Sequence, residues 1–427
     1  MSDSDNHSVV LQRPAFAQPP LHTPSPLKFN PGYDIKFCHP GYPDPYNILL
    51  ILPGLDHPEG GIYHRAALWS CGIIANNQFN SYLSEDREGH VRVTTPLDGI
   101  LRKRSYYFQV QDEHSHPYPI VPSFETWSFP HGKLPADWKF DIPDDPSHPI
   151  SRQSTLAGAV LSRDLRCRLT NHIEGTECAH LVPRNQGIWF QRNMMDQYGR
   201  LSRLNCDAVD TTRNVLLLRS DIHTSFDDKR FTFIPKPKNA PINRTESTTG
   251  RPRAYVTHIF KSTKPHELTA LYHNVTLQGI SEVAPEYLFA RLAWTVFENT
   301  DSFLQAGVAR RLAIHDACTG ATEAGSGFTI STKTYTAEQC FSMSFRSKSR
   351  SLSVKKRKQD GTEDDGSISR GRTRLRHNDI LTPSFVSSID SEGTGDGPWN
   401  PESPGEQTDA SDMDEHDDTP GADWADN

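Results

Sequence analysis

The chain has 427 residues, of which 35% are hydrophobic and 32 are Pro, and its mean hydropathy is low. This length corresponds to two or three domains of roughly 100–200 residues each, and so polar a composition excludes a wholly globular chain. No run of about 18 apolar residues occurs, and the first 26 residues are polar and Pro-rich, so we expect a soluble, unsecreted protein.

The cysteines and the charge distribution indicate the cellular environment and the kind of partner. The seven cysteines are odd in number and have no compact spacing, which is typical of reduced thiols inside a cell. The net charge is -8, yet residues 390–427 contain 13 acidic residues and no Lys or Arg. The rest of the chain therefore has 45 basic against 40 acidic residues, a net charge of +5. A mildly basic body with an acidic tail is compatible with nucleic-acid binding, and the tail could compete for the same surface.

In chain order, residues 1–30 predict a disordered, Pro-rich leader. Residues 31–130 predict a small α+β domain. Alternating patterns indicate strands at 33–38, 47–52, 90–94 and 106–110, and apolar spacing indicates a helix over 62–74. Residues 131–155 are Pro-rich and predict a linker.

The second half divides in the same way. Residues 156–240 form a central module, and residues 254–344 predict a helical extension, because Pro285 opens an almost wholly apolar segment typical of a buried helix. Residues 345–427 predict a disordered tail, first basic and then acidic. The basic cluster from Lys355 to Lys358 could be a nuclear localisation signal, a phosphate-binding arm or a solvated charge run. We therefore expect an intracellular protein that could be located in the nucleus.

The central module contains the residues that suggest chemistry. His223 and Asp227 are four apart, so on a helix both side chains project from one face and could hold one divalent cation. Asn214 lies nine residues before His223, between a turn-like Asp-Thr-Thr-Arg and an apolar run at 215–218. That run predicts a strand or buried turn leading into the helix.

Together with His180, these residues resemble the ββα-metal motif of the HNH endonuclease superfamily. The stretches Ala-His180-Leu-Val-Pro and His223-Thr-Ser-Phe-Asp are most similar to HNH-like proteins abundant in fungi. The segments 33–38, 60–62 and 284–291 also resemble parts of those larger fungal proteins.

The resemblance implies an α+β fold whose central module is a ββα-metal unit, and a metal-dependent endonuclease that hydrolyses phosphodiester bonds of DNA. His180 would be the general base, and Asn214 would brace the loop that bears it. His223 and Asp227 would hold one divalent cation. A site of one nitrogen and one oxygen ligand accepts Mg, Mn, Zn or Ni, so the identity of the metal stays open.

One ligand position departs from the pattern. The residue before the base is commonly Asp or His, and here it is Ala179. Glu177 has the same strand parity as Ala179 and could replace that ligand, as could Asp221 on the helix.

Three basic residues flank the motif: Arg184, Lys229 and Arg230. They could contact phosphates, and surface solvation explains them equally well.

Two other interpretations remain open. A degenerate HNH fold could serve as a nucleic-acid or protein interaction module without cleaving anything, as Ala179 suggests. A structural zinc site could use the nearby Cys and His residues, although the usual Cys-x2-Cys knuckle is absent. The residues for that site would be Cys167, His172, Cys178, His180 and Cys206.

Overall fold

The computed structural model describes residues 12–18, 33–111, 117–139, 155–199, 207–238, 253–264, 266–280, 282–317 and 328–352. The basic cluster at 355–358, the acidic stretch at 390–427 and Cys206 lie outside these residues, as do most of the predicted leader and tail. Predictions for those segments stay predictions.

Within the described residues the chain contains both strands and helices, so the mixed α+β class is confirmed. The strands are β1 (Asp34–Cys38), β2 (Ile48–Pro53), β3 (Ile62–Tyr63), β4 (Ser81–Ser84), β5 (Ile100–Leu101), β6 (Ser105–Val110), β7 (Thr176–His180), β8 (Val215–Arg219), β9 (Phe231–Pro237), β10 (Arg253–Ile259), β11 (Arg310–Ala317) and β12 (Phe328–Tyr335). The helices are α1 (His64–Ile74), α2 (Leu156–Asp164), α3 (Gly187–Arg192), α4 (Ser220–Asp227), α5 (Glu267–Tyr272), α6 (Pro285–Val296), α7 (Asp301–Leu304) and α8 (Ala337–Leu352). None of the described helices is long and apolar enough to cross a membrane.

The first sheet follows the alternation of its sequence. Its strand order is β2-β1-β6-β4, with β1 antiparallel to β2 and parallel to β6. Ile35 and Phe37 of β1 are fully buried, whereas Asp34 and Lys36 are exposed, as a half-buried strand requires. The strand predicted at 90–94 does not form. The Asp86 carboxylate accepts hydrogen bonds from the backbone N–H groups of His90 and Val91 and holds this segment as a turn, with an isolated bridge at Arg92.

Most of the buried apolar side chains form one continuous cluster that draws on the 31–130, 156–240 and 254–344 segments. Helix α6 packs against both α1 and β9 and is buried from Tyr287 to Val296. Trp138, from the segment predicted as a linker, is fully buried, with its ring 5.0 Å from that of Phe289. The segment 254–344 contains β10, β11 and β12 as well as helices, so a helical extension there is not confirmed.

A short part of the predicted leader, residues 12–18, is docked on the body. The backbone N–H of Arg13 donates to the carbonyl of Asn274 at 2.9 Å, and Arg13 forms a bridge with Val275. The ring of Phe16 packs edge-on against Tyr272, with centroids 6.1 Å apart. This part of the leader is therefore held by a backbone pairing and by one aromatic ring, each of which has a partner in the body.

Strand β8 is apolar from Val215 to Leu218 because both of its faces are buried. Val215 and Leu217 face a small cluster with Val160 of α2, whereas Leu216 and Leu218 face the main core. The sequence of a strand that is buried on both faces is a continuous apolar run and does not alternate between apolar and polar residues. Thr155 caps α2 by accepting from the N–H of Gly158, which fixes the helix against this face.

Candidate functional site

The predicted base and metal ligands lie on β7 and α4, and Asn214 lies directly before β8, the strand between them. Strand β7 pairs antiparallel with β8, with His180 opposite Val215 and Thr176 opposite Arg219. Helix α4 starts directly after β8, and the N–H of Ser220 donates to the carbonyl of Gly175 at the start of the hairpin. The chain therefore returns α4 to the beginning of β7.

His180 forms a hydrogen-bonded pair with Asp210. Its Nε2 lies 2.8 Å from Asp210 Oδ1, and the Nε of Arg184 donates to the same oxygen at 2.7 Å. Burial alone would raise the pKa of Asp210, but the hydrogen bonds from His180 and Arg184 outweigh it and lower that pKa below its usual value. An ionised carboxylate only accepts, so Nε2 is the donor, and in the neutral imidazole Nδ1 keeps its lone pair. Among the described residues Nδ1 has no hydrogen-bond partner.

Asn214 is fully buried and ties two loops together. Its Nδ2 donates to the carbonyls of Val182 and Val209, each at 2.9 Å, and its Oδ1 accepts from the N–H of Val182 at 2.9 Å. The backbone carbonyl of Asn214 also accepts from Leu181. The loop that follows His180 is thus held by one side chain that satisfies three backbone groups.

His223 stands between two carboxylates on α4 and β7. Its Nδ1 is 3.0 Å from Glu177 Oε2, and its Nε2 is 3.5 Å from Asp227 Oδ2. Two ligand atoms about 2.1 Å from a tetrahedral cation lie about 3.4 Å apart, so the donor pair formed by Nε2 and Asp227 fits a metal ion. Glu177 binds the other ring nitrogen. It therefore orients the imidazole from behind, the arrangement in which metal-binding histidines donate their second N–H to a carboxylate.

Ala179 and the strand alternation separate the two groups. Glu177 and Ala179 share one face of β7, and His180 lies on the other. Ala179 is fully buried in the core. The position at which a further ligand was expected is therefore filled by a methyl group.

Asp221 is not part of this arrangement. Both of its carboxylate oxygens accept from Arg219, at 2.6 and 2.7 Å, and Arg219 also reaches the hydroxyl of Tyr272. Asp221 is two residues before His223, which places it about 200° around the helix from the His223 side chain. The pair with Arg219 holds the pKa of Asp221 below its usual value despite the opposing effect of burial.

The three predicted phosphate contacts have different environments. Arg184 binds Asp210, and Lys229 binds Glu298 at 2.7 Å while lying 4.4 Å from the centre of the Trp294 ring. Arg230 has no side-chain partner among the described residues, and its Nε is buried. It lines a cleft of about 190 Å³ between α4 and α5, together with Arg219 and Lys264. Of the three, Arg230 has the guanidinium that is free to bind an anion.

A second group of metal-binding types was not predicted from the sequence. Among the described residues, Asp56, His258 and His273 are the one set of three whose ligand atoms all lie within 4.8 Å of one another. This His/Asp group could hold a metal ion. However, the ammonium of Lys236 lies among the same atoms, 2.5 Å from Asp56 Oδ1 and 3.0 Å from His258 Nδ1.

The ammonium of Lys236 uses all three of its donors there, because it also binds Asn274 Oδ1 at 2.5 Å. Asp56 and Lys236 are both fully buried. Burial would raise the pKa of Asp56, but the charge of Lys236 and the nearby imidazoles hold it well below its usual value. Lys236 is thus a built-in cation at the place that a metal ion would take.

The zinc alternative finds little support in the described part of the chain. Cys167 is fully buried and accepts from the N–H of Thr170 at 3.3 Å, and Cys178 packs against the Val160 cluster. Burial raises the pKa of the Cys178 thiol to about 11, which disfavours the thiolate that zinc requires. The four described residues of this set do not meet as a group of ligands, and Cys206 lies outside the described residues.

Comparison with known proteins finds a family model that matches this part of the chain. Residues 166–234 match the HNH_2 family model, whose description is HNH endonuclease. The match contains β7, β8 and α4 together with His180, Asn214, His223 and Asp227, and it supports the HNH superfamily and a nuclease-type domain. No curated protein and no solved structure matches the chain.

Two residues of this region were missed by the sequence analysis. Asp210 stands in the turn before Asn214 but is 30 positions from His180, so no local pattern pairs them. Arg291 lies in the middle of the apolar helix α6 and is fully buried. Burial lowers its pKa to about 9, and the charge of Asp227 acts in the opposite direction. A single Arg among the apolar residues in the middle of this helix was the available signal.

Proposed function

We propose that residues 176–227 form a ββα-metal unit that hydrolyses phosphodiester bonds of DNA with the help of one divalent cation. The observation that carries the proposal is the pair of histidines, each held by a carboxylate: His180 by Asp210, and His223 by Glu177. In both pairs one ring nitrogen is committed to a carboxylate. The other nitrogen is thereby left to act as a base or as a ligand.

In this proposal the Nδ1 of His180 accepts the proton of the attacking water. Asp210 keeps the imidazole in the tautomer that leaves Nδ1 unprotonated and stabilises the imidazolium that forms. Asn214 holds the loop after His180 in place through its bonds to Val182 and Val209. The base is therefore positioned before the substrate arrives.

His223 Nε2 and Asp227 would hold the cation, with Glu177 orienting the ring. When bound, the cation would supply Lewis-acid stabilisation of negative charge on the phosphate. Two protein ligands leave most coordination positions to water and phosphate. We therefore expect Mg or Mn to bind weakly in the absence of DNA and more tightly in its presence; Zn and Ni remain open. Arg230, with its free guanidinium, would contact a phosphate of the DNA backbone.

The test is nicking of supercoiled plasmid DNA by the full chain in the presence of Mg or Mn. His180→Ala should lower the rate by about 10²–10⁴-fold, the usual share of a general base. The matched control is His90→Ala, which removes an exposed histidine of the first sheet region and should leave the rate unchanged. Equal nicking by wild type and His180→Ala would reject the role of His180.

A second function is favoured by Ala179. Because its side chain is fully buried where a ligand is expected, the unit could have kept the fold and lost cleavage, and would then serve to bind nucleic acid or protein. This reading predicts salt-sensitive DNA binding with no cleavage in Mg, Mn, Ni or Zn. If binding disappears when residues 353–427 are removed, it belongs to the tail and this second function is rejected.

A further inference from the structure

Arg291 is the one charged side chain among the fully buried residues of α6. It lies between two aromatic rings: its guanidinium carbon is 3.4 Å from the centre of the Phe226 ring and 4.5 Å from that of Trp294. A charge placed inside an apolar core costs folding free energy unless it is compensated. The hydrogen bonds of its nitrogens therefore show what compensates the buried charge.

Those nitrogens bind two backbone carbonyls from different parts of the proposed site. One terminal nitrogen donates to the carbonyl of Phe226, and the other donates to the carbonyl of Leu181 at 3.4 Å. Leu181 directly follows His180, and Phe226 directly precedes Asp227. One rigid guanidinium thus joins the end of β7 that bears the base to the last turn of α4 that bears the metal ligand.

The hydrogen bonds that hold the two histidines do not connect these two ends. His180 is bonded to Asp210, and His223 to Glu177, within separate groups on opposite faces of β7. Because the guanidinium fork is planar and its donors are fixed relative to one another, it sets a separation in a way that an ammonium cannot.

We propose that Arg291 is a positioning residue, which fixes the distance between His180 and the His223/Asp227 pair by holding the carbonyls of Leu181 and Phe226. This inference rests on the proposed function. It adds that the site depends on a residue of α6, outside the segment that matches the family model.

The chain contains a matched control in Arg310. Its side chain is also fully buried, donates to the carbonyls of Phe303 at 3.0 Å and Tyr46 at 2.6 Å, and lies 3.6 Å from the centre of the Phe303 ring. Both arginines therefore have the same kind of environment, and neither Phe303 nor Tyr46 belongs to the proposed site. A purely structural role would make the two positions behave alike.

The experiment compares Arg291→Lys and Arg291→Met with Arg310→Lys and Arg310→Met in the full chain. Two readouts are measured: Mn²⁺ affinity by calorimetry with and without a DNA duplex, and hydrogen exchange of the peptides that contain residues 181–184 and 226–229. We expect both Met variants to be less stable than wild type. Only Arg291→Met should bind Mn²⁺ about 10–100-fold more weakly, the usual effect of losing a residue that supports metal ligands. Its exchange should be faster in both peptides.

Arg291→Lys retains a positive charge but cannot reach both carbonyls with one planar fork, so it should weaken Mn²⁺ binding less than Met does. It also serves as the test variant if Arg291→Met fails to fold. Equal effects of the Arg291 and Arg310 variants on Mn²⁺ binding and on exchange at 181–184 and 226–229 would overturn the inference. If wild type binds no Mn²⁺ even with DNA, the proposed function fails. The exchange data then decide alone: faster exchange in both peptides supports the bridging role, and unchanged exchange rejects it.

Discussion

Replacing Lys236 by Met removes the central cation of a fully buried ion network. The ammonium lies 2.5 Å from Asp56 Oδ1, and both side chains have no exposed surface. Without it, the Asp56 carboxylate keeps its bonds to the N–H of Tyr63 and to His273 but has lost its permanent counter-charge. Breaking a buried pair by removing one partner costs about 3–5 kcal/mol, so we expect the free energy of unfolding to fall by that amount.

The assay is urea unfolding at pH 7, followed by tryptophan fluorescence. The control is Lys103→Met, because Lys103 pairs with Glu85 on the surface and its side chain is 59% exposed. That loss should be within about 1 kcal/mol. The double variant Lys236→Met/Asp56→Asn should lose less than the sum of the two single variants, because neither buried charge is then left unpaired.

The same variant distinguishes an ammonium from a metal ion at this place. If a cation other than Lys236 neutralised Asp56 in solution, Lys236→Met would cost less than about 1 kcal/mol, as an exposed pair does. Purified wild type would then contain metal in a one-to-one ratio, and Asp56→Asn would lose it. Either result would refute the reading of Lys236 as the built-in cation of the Asp56, His258 and His273 group.

Three further outcomes follow from the structure. Asn214→Ala should lower the free energy of unfolding by about 2–4 kcal/mol in urea denaturation, since three buried hydrogen bonds are lost and their backbone partners stay unpaired; a loss within error would contradict this. Burial lowers the pKa of His258 and of His273, so the unfolded chain takes up protons below about pH 6.5 that the folded chain does not. The urea midpoint should therefore fall as the pH is lowered from about 7 to 5, and a flat profile would refute the buried neutral imidazoles. Arg230→Gln should reduce the slope of log affinity against log salt for DNA by about 1, whereas the exposed Lys333→Gln should not; equal slopes would remove Arg230 from the DNA contact.

The predictable part of the site was the part set by local geometry. His223 and Asp227 are one helical turn apart, and their side chains do face each other on α4. The parity of Glu177 predicted the face of β7 from which it reaches His223, although it binds the ring nitrogen that faces away from Asp227. Local geometry also explains why Asp221, two residues from His223, turns to Arg219 instead.

Several outcomes depended on contacts that no local pattern contains. Asp210 reaches His180 from 30 positions away, Arg291 reaches Leu181 from 110, and Lys236 reaches Asp56 from 180. Such pairs are created when helices and sheets pack against one another, and a polar residue at a core position has no periodicity to reveal its partner. The predicted strand at 90–94 was wrong for a related reason, because the alternation is there but the Asp86 side chain binds the backbone first.

The sequence by itself indicated the mixed α+β class, because periodicity and short spacings are properties of neighbouring residues. Its resemblance to HNH nucleases implied the hairpin-and-helix order of the central module. The tertiary structure decided which ring nitrogen of His180 and of His223 is left to act as a base or a metal ligand. It also decided that the side chain of Ala179 is buried. It also decided that Lys236 occupies the one tight His/Asp cluster of the described residues. Those outcomes depend on which distant side chain arrives at a given atom, and only the packing of the whole chain fixes that.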